Sequence, residues 1–308
     1  MYRPTMGEAA NFAMLDNAVG AAAKTRGEPR LQEEPMAESQ SKQIKRLRKE
    51  IEVAASPAAV WKALTDGEEL SRWFPLSARV TLGENGTMFL SWGAGCEGEA
   101  RITGWEPQQL LRVNEPAGGM SVPEGVTIEW KLEQRGGVTV VRLAQSGFSE
   151  GGDSADEYFA STEYGWSFML VNLRHYLERH AGTPRRVAWP RQKTELSREE
   201  AYRRLAAAGG LFREGTGGLK DGAEYMLETA TGESFEGRVQ FVRPPRGFCL
   251  TVRHLNDALF LLTIEGIAGQ HEAQIWLSTY NLSQAKVEAS EMDWAGVLGR
   301  ILVPEARA

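Results

Sequence analysis

Short runs in which apolar and polar residues alternate fill residues 78–145, and one long helical pattern follows them. Turn signals such as Asn85-Gly86 and Arg135-Gly136-Gly137 separate the runs, which indicates antiparallel strands joined by hairpins. From about residue 156 to 179, apolar residues recur at three- and four-residue steps, as in a helix with one buried face. The members of this stripe are Phe159, Thr162, Trp166, Met169, Leu173 and Leu177. This order predicts an α+β domain in which an antiparallel sheet is closed by a C-terminal helix.

The beginning of this domain is marked by a strand and a helix start. Residues 1–43 lack a sustained period, and we expect a disordered leader there. From Ile44 onward, Leu47, Ile51 and Val53 share one face of an alternating run, which is typical of a half-buried strand. Ser56-Pro57 then combines a capping residue with proline at the first helical position. We therefore place the first domain at residues 44–181.

The second half of the chain repeats the first weakly but in order. Ser56, Trp61 and Leu64 find counterparts in Ser197, Tyr202 and Leu205, all 141 residues later. Later matches keep the same order, and their spacing drifts only through loops. The closing helix of this copy, predicted at Glu288–Leu302, is shorter, and only Arg186–Trp189 offers a first strand. We predict a linker at 182–196 and a second, degenerate domain at 197–303, with a small or filled cavity.

Composition narrows the function classes. A formal net charge of −6 argues against a general nucleic-acid binder, which needs a basic surface. No run approaches the ~18 apolar residues of a membrane span. Cys96 and Cys249 have no metal-type spacing. From these features we expect a cytoplasmic protein with no membrane span and no nucleic-acid partner; its oligomeric state stays open.

Several motifs resemble one protein family. They include Ile51-x-Val53-x-Ala55-Ser56-Pro57, Val60-Trp61 followed by Ala63-Leu64-Thr65-Asp66, Leu70-x-x-Trp73-Phe74, Ser146-Gly147-Phe148 and Gly165-Trp166. In order and type they are similar to the activator of Hsp90 ATPase homologue-like family of the START/Bet v 1-like (SRPBCC) superfamily, over residues 44–180. The resemblance implies a helix-grip fold, a curved antiparallel sheet around a long C-terminal helix, for the first domain and, through the repeat, for the second. It also implies room for an apolar molecule between sheet and helix.

Large apolar residues of the first domain are the candidates for lining such a site, because ligand pockets are commonly rich in aromatic side chains. The candidates are Trp73, Phe74, Met88, Leu90, Trp92, Trp130, Phe148, Trp166, Met169 and Leu173. The alternative for each is a plain core position, since large apolar residues also fill interiors. Our leading hypothesis is a non-catalytic protein that holds an apolar or lipid-like small molecule under the helix of the first domain.

Two other functions stay open. One is a chaperone cofactor or stress-response module that contacts a protein partner through the second domain. The other is a cyclase- or hydrolase-like enzyme on a hydrophobic substrate, with Asp66, Glu97, Glu99 and Tyr164 as its candidate groups. No nucleophile elbow, phosphate-binding loop, dinucleotide fingerprint or metal motif supports the enzyme. We therefore expect no catalytic residues, no metal and no cofactor.

Overall fold

A computed structural model describes residues 45–93, 96–115, 125–148, 152–267 and 270–303, so the predicted leader at 1–43 lies outside it. Within these residues the chain is an α+β protein with two antiparallel sheets. The strands of the first sheet are β1 (Leu47–Val53), β2 (Ser77–Val80), β3 (Thr87–Ser91), β4 (Glu97–Glu106), β5 (Leu110–Glu115), β6 (Val126–Arg135) and β7 (Val138–Ser146). Its helices are α1 (Pro57–Thr65), α2 (Gly67–Ser71) and α3 (Asp153–Arg179).

The first sheet has the order β1-β7-β6-β5-β4-β3-β2. Strands β2 to β7 form a meander, and β1 pairs with β7. Ser56 begins α1 as predicted, because its Oγ accepts a hydrogen bond from the Ala59 amide at 3.2 Å. Asp66 then caps α2 by accepting from the amides of Glu68 and Glu69. The two short helices are thus set by local capping between β1 and β2.

Helix α3 lies between the two sheets, with one face on each. Trp166, Met169 and Leu173 of the predicted stripe are buried within the core of the first sheet, whereas its other members, Phe159, Thr162 and Leu177, are only partly buried. A second stripe, unnoticed in the sequence, includes Tyr164 and Phe168, spaced four residues apart on another face of α3. These two rings contact the second sheet, so α3 is covered on two sides.

The second sheet follows α3 directly. Its strands are β8 (Arg185–Ala188), β9 (Arg191–Thr194), β10 (Glu224–Glu228), β11 (Ser234–Arg243), β12 (Gly247–Val252), β13 (Ala258–Ile267) and β14 (Gln270–Tyr280). Helix α4 (Arg198–Ala206) and helix α5 (Gln284–Leu302) complete it, with a 3₁₀ turn at Arg253–Leu255. The order is β10-β11-β12-β13-β14, with both β8 and β9 paired to β14.

The stretch 182–196 therefore differs from the predicted linker. Two four-residue strands, β8 and β9, lie within it and are separated by Trp189-Pro190, where proline lacks an amide for the ladder. Helix α5 also begins four residues earlier than predicted, because Ser283 accepts a hydrogen bond from the Lys286 amide and caps it. The strand order of the second sheet parallels that of the first, and the interpretation of residues 197–303 as a degenerate copy stays a prediction.

Strands β13 and β14 are buried on both faces. Leu259, Leu261 and Trp276 belong to the core around α3, whereas Phe260 and Leu262 belong to the core under α5. Because neighbouring residues of a strand point to opposite faces, a continuous apolar run is what such a strand requires. The second sheet thus separates two cores, and one of them also contains the first sheet.

Candidate functional site

A cavity of about 160 Å³ lies between α3 and the first sheet. A single water needs only about 10–15 Å³ by the same measure, so the space is roughly ten times larger. Its apolar lining, besides the predicted residues, includes Leu64, Leu70, Ala100, Val113, Val126 and Ile128. The cavity is thus an apolar space of ligand-bearing size, bounded by the helix on one side and by strands β3 to β7 on the other.

Eight of the ten predicted site residues line this cavity: Trp73, Phe74, Met88, Leu90, Trp92, Trp130, Trp166 and Met169. The structure places the other two elsewhere. Phe148 packs against Tyr158 and Phe159, with ring centroids 5.6 and 4.8 Å apart. Leu173 is fully buried one turn beyond Met169, outside the lining. Contact of any of these residues with a ligand stays a prediction.

Aromatic rings form a connected wall at one end of the cavity. Trp166 stacks on Phe74 at 5.4 Å and meets Trp130 edge-on at 5.4 Å. The ring of Trp73 contacts two of these rings, with its centroid 5.1 Å from that of Phe74 and 6.1 Å from that of Trp130. Trp92 contacts the outer edge of Phe74 at 5.3 Å. Such edge-on and offset contacts hold the rings in fixed positions, so this end of the cavity is rigid.

The indole nitrogens of this wall differ in what they bind. Trp73 Nε1 donates to the carbonyl of Ala63 at 2.9 Å, and Trp166 Nε1 donates to Oε1 of Gln145 at 2.5 Å. Trp92 is 7% exposed, and its Nε1 has no hydrogen-bond partner among the described residues. A buried donor without a partner costs free energy, so each such group needs an explanation. Trp92 thus lines the cavity and has a buried indole N–H without a partner among the described residues.

Polar side chains line the cavity elsewhere, and they come from α3 and from both sheets. They are Glu115, Gln145, Tyr158, Ser161, Thr162 and, from β13, Glu265. Ser161 Oγ donates to Oε2 of Glu265 at 2.7 Å, and Thr263 Oγ1 donates to Oε1 at 2.6 Å. Burial raises the pKa of Glu265, although the hydrogen bonds from Thr263 and Ser161 and the charge of Arg246 oppose this rise. The second sheet thus forms part of the cavity wall.

The carboxyl group of Glu115 is the other acid in the lining. Burial raises its pKa above the ordinary value, because the charged form is poorly solvated there. Glu115 was not among the candidate site residues of the sequence analysis. The signal was present, since Leu111, Val113 and Glu115 alternate along one face of β5. Glu265 offered no comparable signal, because its position depends on how the second sheet packs against α3.

The residues considered for an enzyme do not belong to this site, since none of the four lines the cavity. Asp66 caps α2, Glu97 accepts from Ser91 Oγ, and Tyr164 donates to the carbonyl of Leu262 at 2.9 Å. Glu99 is exposed on β4. Within the described residues, no group of three or more metal-binding side chains is present. No helix in that part of the chain is long and apolar enough to cross a bilayer.

Comparison with known proteins confirms the predicted resemblance for most of the first domain. Residues 54–178 match the family described as activator of Hsp90 ATPase homolog 1-like protein, a match that covers less than half of the chain. A comparison with curated proteins finds no match.

Solved structures similar to this chain include the Aha1 dimer of Colwellia psychrerythraea, at 23% identity and a TM-score of 0.39, covering 45% of this chain and 100% of that one. Protein MLL2253 of Mesorhizobium loti is 18% identical with a TM-score of 0.39, covering 44% and 98%. DynU16, encoded in the dynemicin biosynthetic locus, is 17% identical with a TM-score of 0.40, covering 83% and 96%.

Proposed function

We propose that this protein binds an apolar small molecule or lipid-like ligand, without transforming it, in the cavity between α3 and the first sheet. The observation that carries the proposal is the cavity itself, whose wall consists mainly of aromatic and aliphatic side chains. Folded interiors usually pack to near crystal density, so a space of this size in a core lowers stability unless a ligand occupies it.

Two further features support binding. The rings at the aromatic end are fixed by one another, so a ligand would meet a preformed surface and few side chains would lose freedom. The unpartnered Nε1 of Trp92 would satisfy its hydrogen bond with an acceptor on the ligand. The family match of residues 54–178 agrees with a binding or cofactor role at this coarse level and names no ligand for this chain.

A fluorescence titration with N-phenyl-1-naphthylamine, a neutral apolar dye, tests the proposal. Ala100 lies on β4 and lines the cavity, and it is 4% exposed. Ala100→Phe places a ring in the space that the dye needs, and we expect its Kd to rise at least about tenfold. Ala144→Phe is the matched control, because Ala144 lies on the outer face of the same sheet, beside Arg48 and Lys131.

Native mass spectrometry of the purified protein provides an independent arm, in which an adduct that Ala100→Phe removes would identify the natural ligand. Equal dye affinity in the wild type and in Ala100→Phe, with both folded by circular dichroism, would contradict binding in this cavity. So would an absence of dye binding together with an absence of any adduct.

A further inference from the structure

The direction of α3 shows where the polar residues of the cavity lie. Lys45, just before β1, pairs with Asp156 at 2.8 Å, and the Ala54 amide just after β1 donates to Glu178 at 2.8 Å. Helix α3 therefore runs in the same direction as β1. The beginning of β1 pairs with the end of β7 through Leu47 and Gln145. The end of the first sheet at which β1 begins and β7 ends thus faces the N-terminal turns of α3.

Glu115 lies at the same end. It is the last residue of β5 and pairs with Val126, the first residue of β6, and two residues later Ile128 pairs with Gln145. Ser161 brings Glu265 of the second sheet to this end, through its 2.7 Å hydrogen bond. The aromatic wall begins at Trp166, five residues further along α3, or about 7 Å at the helical rise. The cavity consequently has a polar end and an aromatic end.

Among the described residues, the polar end has three carboxyl groups and two guanidinium groups. Arg246 donates to Glu157 at 2.8 Å and to Glu265 at 3.2 Å, and Arg198 donates to Glu157 at 2.5 Å. These four side chains are all 15% exposed or less and form a compact network of two carboxylates and two guanidinium groups. Glu115 is the third carboxyl group, and its side chain forms no ion pair or hydrogen bond with the described residues.

The two cavity carboxyl groups therefore differ in availability. Glu265 already accepts from Ser161, Thr263 and Arg246, so its oxygens are used within the protein. Glu115 is half-buried and lacks such partners among the described residues. A buried carboxyl group is stabilised most by a cation that reaches it with a hydrogen-bonding donor.

We infer that the polar end of the cavity binds the protonated amino group of an otherwise apolar ligand, with Glu115 as its carboxylate partner. Strand β13 of the second sheet forms the wall that closes this end. The ligand class is an amine with an aromatic or aliphatic body that extends from Glu115 towards the rings around Trp166. This inference rests on the proposed function and adds the chemistry of the ligand.

Three probes with a common phenylbutyl body test it by displacing N-phenyl-1-naphthylamine at neutral pH: phenylbutylamine, butylbenzene and phenylbutanoate. We expect the amine to bind about tenfold more tightly than butylbenzene, and the carboxylate more weakly than either. In Glu115→Gln the advantage of the amine should fall about tenfold, while the Kd of butylbenzene stays unchanged. Glu99→Gln is the matched control, since it removes an exposed carboxylate from the same sheet.

The outcomes separate the inference from the proposed function. Butylbenzene binding without an amine advantage, or an advantage that survives Glu115→Gln, overturns the inference and leaves apolar binding intact. Failure of the dye and of all three probes to bind overturns both. Thermal unfolding of each variant verifies that a lost preference does not reflect a lost fold.

Discussion

The two helix–sheet interiors of this chain are built alike but packed differently. Under α3 the aromatic rings line a cavity, whereas under α5 they pack against one another, and we expect the interior there to be filled. Phe212 contacts Phe235, Phe248, Phe260 and Trp294, with centroids 6.1 to 6.4 Å apart. Trp294 also lies 5.0 Å from Phe260. Aromatic residues thus border a cavity under α3, whereas under α5 they pack against one another.

The support behind each helix explains how a hollow interior can persist. A space in a core tends to collapse when its walls can move inward, because lost contacts are then regained. Helix α3 is held from behind by the second sheet through Phe168 on Trp276 and Tyr164 on Phe241, so its position does not depend on filling the cavity. The second sheet therefore supports α3 on the side away from the cavity.

Truncation of a core residue should cost more in the filled interior. Phe260→Ala removes a fully buried ring with aromatic neighbours on several sides, and we expect a loss of about 3–5 kcal/mol in the free energy of unfolding. Met169→Ala removes a side chain that already borders a cavity, and we expect about 2 kcal/mol. Urea denaturation measures both. Equal losses would contradict the contrast between a filled and a hollow interior.

The contact between α3 and the loop before β13 of the second sheet should weaken in acid. Burial lowers the pKa of His175 to about 4, and its Nε2 lies 2.6 Å from the carbonyl oxygen of Asp257. Burial also lowers the pKa of His180. Between pH ~6.5 and ~4 the unfolded chain binds a proton at His175 that the folded chain does not, so stability falls as pH falls, by up to about 3 kcal/mol.

A series of urea titrations between pH 7 and pH 4 measures this slope, and His175→Gln should reduce it. The variant keeps a side chain that can donate to the Asp257 carbonyl but does not titrate. An unchanged slope in the variant would show that the acid sensitivity arises elsewhere.

Addition of volume should give the same ranking as truncation, with the larger loss of stability in the interior under α5. Ala273→Phe forces a ring into the filled interior under α5 and should cost about 1–3 kcal/mol. Ala100→Phe enters the cavity and should cost less than about 1 kcal/mol. Thermal unfolding of the two variants side by side gives the ranking, and a greater loss for Ala100→Phe would show that the first interior has no room to spare.

The smallest expected effect concerns the helix starts that suggested a repeat. Ser56 Oγ accepts from the Ala59 amide and Ser197 Oγ from the Glu200 amide, each at 3.2 Å. Ser56→Ala and Ser197→Ala should each cost about 1 kcal/mol, because each leaves one amide at a helix start without its acceptor. Chemical denaturation measures the loss of unfolding free energy in each variant. Equal losses are expected if the two positions are equivalent, and unequal losses would contradict that equivalence.

Local patterns predicted the elements better than they predicted the packing between them. Helix α3 was expected at about 156–179 and spans Asp153–Arg179, because its stripe and length are properties of the helix itself. Leu173 and Phe148 shared that apolar character but lie outside the cavity, since the burial of a side chain does not say which space it borders. Eight of the predicted lining residues do border it, because alternation along the strands and the helical period both place them inward.

The second face of α3 was not predictable in the same way. Tyr164 and Phe168 are spaced as a stripe, but their partners lie about 80 or more residues later, in a sheet whose packing against α3 no local signal indicates. Glu265 entered the cavity wall through this packing. Strand β9 was not predicted, and β8 was indicated only by the candidate run Arg186–Trp189, since each strand is four residues long and is defined by pairing with β14.

Xenon-pressurised crystals test the contrast between the two interiors most directly, because xenon enters apolar cavities and is seen as strong density. We predict a xenon site between α3 and the first sheet, near Trp166 and Met169, and no site between α5 and the second sheet. Xenon under both helices, or under α5 alone, would contradict the account, as would a first interior without any xenon in crystals where the cavity is free of ligand.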